Sequence, residues 1–358
     1  MIILKKQKSN FFLTLLISLF FVYNGVGLGA ESDITLESGL QSLRSVKDLN
    51  GVWSFTPEGL PTTSIQVPGF YIWKKTVGRF ELSTPGPDNK WKIFEGVPEG
   101  VYERSFNIPA DMEGKRIFLH FESVNYYCSV TVNGHQVKKN FGGYIPFEVD
   151  ITPYVSVPSQ NNSLKVEIIF WDNKFLHNKF EHDPLLPTGF FGHLWNLGIT
   201  GEVTIQARSP VYINDLCVRT SIRTSTISGH VTIINSTSSE FTGSCDINLE
   251  DGLQLGSYTV SVPPLDTLVV DYQQDWNDPH LWFPTDPYLY RLNTLLRNNE
   301  QLIDTVSAVF GFREFWQEGT SFYLNGIKQN LRGDNVVLQG EKRYWPYLIP
   351  RSEEHTSE

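Results

Sequence analysis

A chain of 358 residues, 40% apolar and 13% aromatic, can bury more than one core, which excludes a disordered protein. The charge is acidic, 29 basic against 39 acidic side chains, so the balance would not neutralise a phosphate backbone and nucleic acid is excluded as a partner. Three cysteines do not make a disulfide framework, and no CxxC pair offers a metal site.

Residues 1–30 open with Lys5, Lys6 and Lys8, run apolar from Phe11 to Tyr23 and leave through Gly25-Val26-Gly27-Leu28-Gly29-Ala30, the layout of a secretory signal peptide. The apolar run is about 13 residues, short of the roughly 20 that a spanning helix needs, so an exported chain, periplasmic or secreted, with no permanent membrane anchor is expected. Cleavage after Gly29 or Ala30 removes three lysines and no acid, taking the formal charge from −10 to −13.

From Glu31 onward the dominant period is two, the mark of half-buried antiparallel strands. Ile117, Leu119 and Phe121 share one face. Tyr126, Cys128, Val130 and Val132 share another, opposite Tyr127, Ser129 and Thr131, and Asn133-Gly134 supplies a hairpin turn. Leu164, Val166, Ile168 and Phe170 repeat the pattern against Lys165 and Glu167. No helical stripe interrupts it, which predicts a sandwich or jelly roll over residues 31–208. After Ser209-Pro210, strands are predicted near Val211–Arg219, His230–Ile234, Cys245–Leu249, Tyr258–Val262, Leu268–Tyr272 and Tyr288–Leu296. Their spacing suits an immunoglobulin-like sandwich over residues 209–312. Cys128 is in phase with apolar neighbours and reads as buried; Cys217 and Cys245 read either as a pair within one sandwich or as two buried thiols.

A third unit starts late, over residues 313–350. An apolar run closes at Phe310, Asn325-Gly326 makes a hairpin turn, and a strand over Gln329–Arg332 ends in the polar pair Asp334-Asn335. Residues 351–358, Arg-Ser-Glu-Glu-His-Thr-Ser-Glu, abandon every pattern before them. One reading is a disordered polar tail. The sharper one is a translated sequencing-library adapter, since AGATCGGAAGAGCACACGTCTGAA encodes these residues in frame.

Several motifs then fall into a known order. Val101-Tyr102-Glu103-Arg104-Ser105-Phe106-Asn107-Ile108-Pro109, Val130-Thr131-Val132-Asn133-Gly134, Gly142-Gly143-Tyr144-Ile145-Pro146-Phe147 and Asn162-Ser163-Leu164-Lys165-Val166 resemble the sugar-binding jelly roll of glycoside hydrolase family 2. Pro279-His280-Leu281-Trp282, Pro287-Tyr288-Leu289-Tyr290-Arg291-Leu292 and Phe310-Gly311-Phe312-Arg313-Glu314 resemble the end of that family's immunoglobulin-like domain. Leu324-Asn325-Gly326 and Leu331-Arg332-Gly333 look like the start of its (β/α)8 barrel. The likeness spans about residues 50–340 and departs from the family at Gly333-Asp334-Asn335-Val336-Val337, where relatives often carry a histidine. The fold it implies is all-β, jelly roll then immunoglobulin-like sandwich, followed by the truncated start of the barrel.

The resemblance also implies a retaining hydrolase of terminal β-linked sugars, with a β-glycoside as partner and no redox or nucleotide cofactor. Such chemistry uses two carboxyls about 5 to 5.5 Å apart, one protonated and one ionised. In the family both glutamates lie deep in a barrel of about 250 residues, beyond position 358, so no catalytic residue is assigned here. Asp334 and Asn335, at the end of the predicted first barrel strand, are candidates for substrate binding or a strand-end cap. Asp183 is a further candidate, because a loop of the first sandwich reaches the active site in some relatives; surface charge is the competing reading. His177, Glu181, His182 and Asp183 match no helix or strand ligand spacing and read as a solvated loop, with no metal assigned. Arg332-Gly333-Asp334 closes a predicted strand, which disfavours an adhesion loop. Trp73, Trp91, Trp171 and Trp195 read as core or interface residues rather than sugar platforms, and Trp282 as interdomain packing. The competing functional class is a stand-alone carbohydrate-binding or adhesion protein. An exposed lone hairpin argues against it.

Overall fold

The computed structural model describes residues 43–72, 76–77, 80–81, 91–169 and 196–331, and these are almost entirely β. Two sheets face one another in the first sandwich. One has six strands, in the order His135–Phe141, Tyr127–Val132, Ser159–Ile169, Gly100–Ile108, Gly51–Pro57 and Thr63–Val67; the other has four, Ser45–Asp48, Val203–Arg208, Arg116–Phe121 and Phe147–Asp150. Their inner faces share one core, in which Trp53, Phe55, Tyr102, Val130 and Val166 from the first sheet meet Ile117, Leu119, Phe121 and Ile205 from the second. Each such full burial contributes about 1.5–3 kcal/mol.

The alternation read from the sequence has the expected consequence. Cys128, Val130 and Val132 are buried, and so are Leu164, Val166 and Ile168 on the paired strand. Phe170, the next in that series, lies outside the described residues. Asn133 and Gly134 turn the hairpin with φ of 49° and 81°, the left-handed pair that a two-residue turn requires. Two outward positions are nevertheless buried. Ser129 is covered within the six-stranded sheet, and Phe118 packs against the second sandwich.

The second sandwich is immunoglobulin-like. It pairs a three-stranded sheet (Val211–Ser221, Thr226–Asn235, Asp266–Asp275) with a four-stranded one (Gln254–Val262, Phe241–Leu249, Tyr290–Asn298, Gln301–Phe310). The last strand, Gln301–Phe310, is absent from the strands predicted for this domain. Its inward series Asp304, Val306, Ala308, Phe310 starts with a carboxylate, and Asp304 is fully buried. That aspartate accepts from Arg44 Nε at 2.8 Å and from the Ile213 N–H at 2.7 Å, tying the segment before the first sandwich to the second.

A second tie joins the sandwiches. The Arg208 guanidinium lies 4.4 Å from the Phe118 ring centroid and 5.6 Å from that of Tyr212, while its Nη1 donates to Glu148 Oε1 at 2.9 Å. His120 approaches the same carboxylate. All three cysteines are free: Cys128 and Cys245 are buried and Cys217 is half-buried, so the proposed pairing of Cys217 with Cys245 does not form.

Beyond Phe310 the chain enters a three-stranded antiparallel sheet, Phe315–Glu318, Ser321–Leu324 and Ile327–Gln329. Asn325 and Gly326 turn its second hairpin with φ of 51° and 82°. Pairing of Phe322 with Gln329 and of Leu324 with Ile327 defines a hairpin strand at Ile327–Gln329, and the strand predicted over Gln329–Arg332 runs out of the described residues. Among the described residues, no helix is long and apolar enough to cross a membrane.

Candidate functional site

Asp183, Asp334 and Asn335, the three proposed substrate contacts, lie outside the described residues. So do His177, Glu181, His182, Arg332, Gly333, Trp73, Trp171 and Trp195. Trp91 is described only as backbone, in the short strand Trp91–Ile93. The described residues contain no group of three or more His, Cys, Asp or Glu side chains placed to hold a metal ion. What they do contain is the joint leading toward Asp334 and an open cleft on the first sandwich.

The joint is built from the Gly311-Phe312-Arg313-Glu314 run. Phe312 is fully buried in the core of the second sandwich, edge-on to Trp276 at 5.3 Å. Gly311 leaves room for Trp282, since a Cβ there would stand 2.8 Å from the Trp282 ring. On the other side the Arg313 guanidinium covers Trp282 at 4.3 Å. Trp282 therefore packs at an interdomain seam, as its position suggested.

The Glu314 carboxylate faces back into the second sandwich. It accepts from Ser221 Oγ at 3.0 Å, the Ile222 N–H at 2.9 Å, the Arg223 N–H at 3.3 Å and Arg223 Nε at 2.6 Å. Burial alone would raise its proton affinity, but the Arg223 guanidinium and these donors outweigh burial and hold it below the usual carboxylate range. Such a group is an anchor rather than a proton donor. Asn325 completes the grip by donating from Nδ2 to the Trp282 carbonyl at 2.8 Å. The three-stranded sheet thus leaves the second sandwich in a fixed direction, determined by side chains that periodicity does not single out.

The cleft, of about 430 Å³, opens on the outward face of the six-stranded sheet. Strand register explains its floor. Ser129 pairs with Lys139 on one side and Glu167 on the other, Glu167 pairs with Val101, and Val101 with Thr56, so one row crosses five strands. Gln136 donates from Nε2 to Ser129 Oγ at 3.2 Å, and Glu58, Gly59 and Glu99 form the rim. The sequence places Ser129 and Glu167 on the outward face, but joining them into one row needs the register, which alternation does not supply.

Comparison with known proteins gives this architecture its class. The glycosyl hydrolases family 2 sugar binding domain matches residues 46–206, and the glycosyl hydrolases family 2 domain matches residues 211–313. A β-glucuronidase of Formosa agariphila is 26% identical over 268 residues, covering 69% of this chain and 26% of that protein. A β-galactosidase of Thermoanaerobacter pseudethanolicus is 28% identical over 240 residues, covering 65% of this chain and 31% of that protein. Among solved structures, Bacteroides uniformis β-glucuronidase superposes with a TM-score of 0.63 at 23% identity, over 81% of this chain and 35% of that one. A β-galacturonidase of Eisenbergiella tayi superposes with a TM-score of 0.60 at 21% identity, over 80% and 47%. The two sandwiches are thus of the glycoside-hydrolase class. The chain belongs to glycosyl hydrolase family 2, and it spans between about a quarter and a half of the length of these relatives.

Proposed function

We propose that this chain is the non-catalytic, N-terminal portion of an exported glycoside hydrolase whose whole length cleaves terminal β-linked sugars with retention of configuration. The reading is supported by relatives named as β-glucuronidases and β-galactosidases, of which the chain matches only a part. The observation that carries the non-catalytic assignment is coverage: the chain matches only 26% and 31% of the length of those two relatives. A retaining glycosidase needs one carboxyl with raised proton affinity near the leaving oxygen. Among the described residues the two carboxyls with shifted affinity, Glu148 and Glu314, are both lowered, and both bind arginine in structural joints.

On this reading the two sandwiches are scaffold, and the Glu314 joint orients the chain that follows. Asp183, Asp334 and Asn335 contribute walls of the substrate pocket. The test is an assay of the purified full chain with aryl β-glucuronides, β-galactosides and β-galacturonides. No turnover is expected; hydrolysis of any of them at a rate abolished by a point substitution within the chain overturns the non-catalytic assignment. Genomic sequence downstream of codon 350 tests the rest, with an Asn-Glu pair followed by a second glutamate expected in the same frame.

A further inference from the structure

Strand Asp266–Asp275 closes one side of the three-stranded sheet in the second sandwich. It pairs with Thr226–Asn235 along its whole length without a bulge, and among the described residues no strand lies on its other side. A bare edge of this kind is a template for another chain, and folded proteins usually blunt it. The other edges of the two sandwiches are blunted. His135–Phe141 carries a bulge and the lysines Lys138 and Lys139, Gln254–Val262 carries a bulge, and Thr63–Val67, Ser45–Asp48 and Phe147–Asp150 are short. Val211–Ser221 and Gln301–Phe310 lie against each other. Asp266–Asp275 has ten residues with no proline, lysine or bulge, and on its outward face Val269 is 53% exposed.

The strand is complementary to itself. Val270 and Tyr272 are buried and Leu268 is half-buried, while Thr267, Val269, Asp271 and Gln273 are exposed, so an added strand must set inward residues opposite inward ones. For antiparallel pairing of this strand with a second copy about a two-fold axis, that parity allows only registers centred on a single residue. Centring on Asp271 puts two carboxylates directly opposite, which is destabilising. Centring on Val270 puts the exposed Val269 opposite Asp271. Centring on Val269 puts the two exposed valines together, Leu268 opposite Val270 in the inward row, and Asp271 opposite the Thr267 hydroxyl, with no like charges opposed. Leu265, with a left-handed φ of 55°, ends such a ladder at Asp266, so it runs from Asp266 to Tyr272 in each copy.

We propose that Asp266–Asp275 is a self-association edge, at which two copies of this chain join antiparallel about a two-fold axis through Val269 and their three-stranded sheets become one continuous sheet. The proposal stands apart from the hydrolase assignment, because association is read without any substrate.

The experiment is sedimentation equilibrium of the full chain, with a dimer that dissociates on dilution expected. Val269→Lys sets two ammonium groups opposite each other and should weaken the dimer by at least about tenfold, with the melting temperature of the dilute protein unchanged because the side chain is exposed. Val269→Cys brings two Cβ atoms to about 4.5–5.5 Å across the axis, so mild oxidation should link the copies beyond the level of the parent chain. Gln273→Cys, exposed on the same face but remote from its counterpart in this register, should not. A chain that stays monomeric at its highest soluble concentration overturns the proposal, whether the edge is bare or covered by another part of the same chain. A dimer unaffected by Val269→Lys places the interface elsewhere and also overturns it, as does Gln273→Cys linking as readily as Val269→Cys.

Discussion

Asn325 and Glu314 hold each other through the backbone: the Glu314 N–H donates to Asn325 Oδ1 at 2.9 Å, and the Asn325 N–H donates to the Glu314 carbonyl at 2.9 Å. One residue thus turns a hairpin in the left-handed region, with φ of 51°, and also fastens that hairpin to the strand that leaves the second sandwich. Asn325→Ala removes both side-chain bonds and places a Cβ residue less tolerant of that φ, for a cost of about 2–3 kcal/mol. Asn325→Gly keeps the turn and should be about 1 kcal/mol milder. Denaturant unfolding of the two variants separates the contributions, and hydrogen exchange at the Glu314 amide should quicken in both. Equal losses would show that the left-handed turn contributes nothing.

Gly311 and Trp282 define the same seam from the other side. Gly311→Ala forces a Cβ to 2.8 Å from the indole, so the ring must shift against Arg313. Overpacking of this kind costs about 1–3 kcal/mol. Near-ultraviolet circular dichroism should register the displaced tryptophan; an unchanged spectrum and unchanged stability would mean that the seam is slack.

Asp304 is the buried charge on which the first tie depends. With Arg44 and the Ile213 N–H as its donors, its truncation strands a buried amide and leaves Arg44 without its carboxylate. Asp304→Ala should cost about 3–5 kcal/mol, and Arg44→Ala much of the same amount. The double variant should be clearly less damaging than the sum of the two, because both single changes break one interaction. Additive losses in a double-mutant cycle would refute the coupling.

Glu148 and His120 give the Arg208 tie a pH window. Burial would raise the Glu148 carboxyl, but the nearby His120 ring and the bonds from Arg208 outweigh it and hold the group at about 2 against an ordinary 4.5. Its contribution is therefore complete above pH 4.5 and lost as pH falls toward 2. His120 moves the other way. The Glu148 carboxylate, 4.0 Å from its Nδ1, and the Glu122 carboxylate, 3.2 Å from its Nε2, raise it above the ordinary 6.5 despite burial, so its contribution is complete below 6.5 and fades as pH rises through the folded value. The cluster supports the joint best between pH 4.5 and 6.5. Melting temperatures of the parent chain and Glu148→Gln, followed from acid to mildly alkaline solution, should differ most inside that interval, converge toward the acid end and draw closer once His120 is neutral. Parallel curves would exclude the cluster as a pH-dependent element.

Much of the fold is legible in the sequence because half-buried strands advertise themselves. Cys128, Val130 and Val132 can be placed inward with no structure, and the pairs Asn133-Gly134 and Asn325-Gly326 mark their hairpins by composition alone. The strand Gln301–Phe310 escapes because Asp304 holds an inward position that a hydrophobic pattern reserves for an apolar residue. Phe118 reads as outward for a related reason: alternation says which face a side chain occupies, not whether a second domain covers that face. Glu314, Arg208 and Glu148 carry no periodic signal at all, since their partners are remote in sequence and become neighbours only once register and domain packing are fixed. For the candidate substrate contacts the resemblance supplies the names Asp183, Asp334 and Asn335, all outside the described residues. The cleft needs cross-strand register to be seen.

The three free thiols sort themselves by access. Burial pushes Cys128 and Cys245 up to about 12, leaving almost no thiolate at neutral pH, whereas Cys217 is half-buried. A thiol reagent should therefore count one fast site on the native chain and three on the unfolded one. Both sandwiches carry a silent cysteine in their cores, so the order in which the second and third labels appear during unfolding would report which domain opens first.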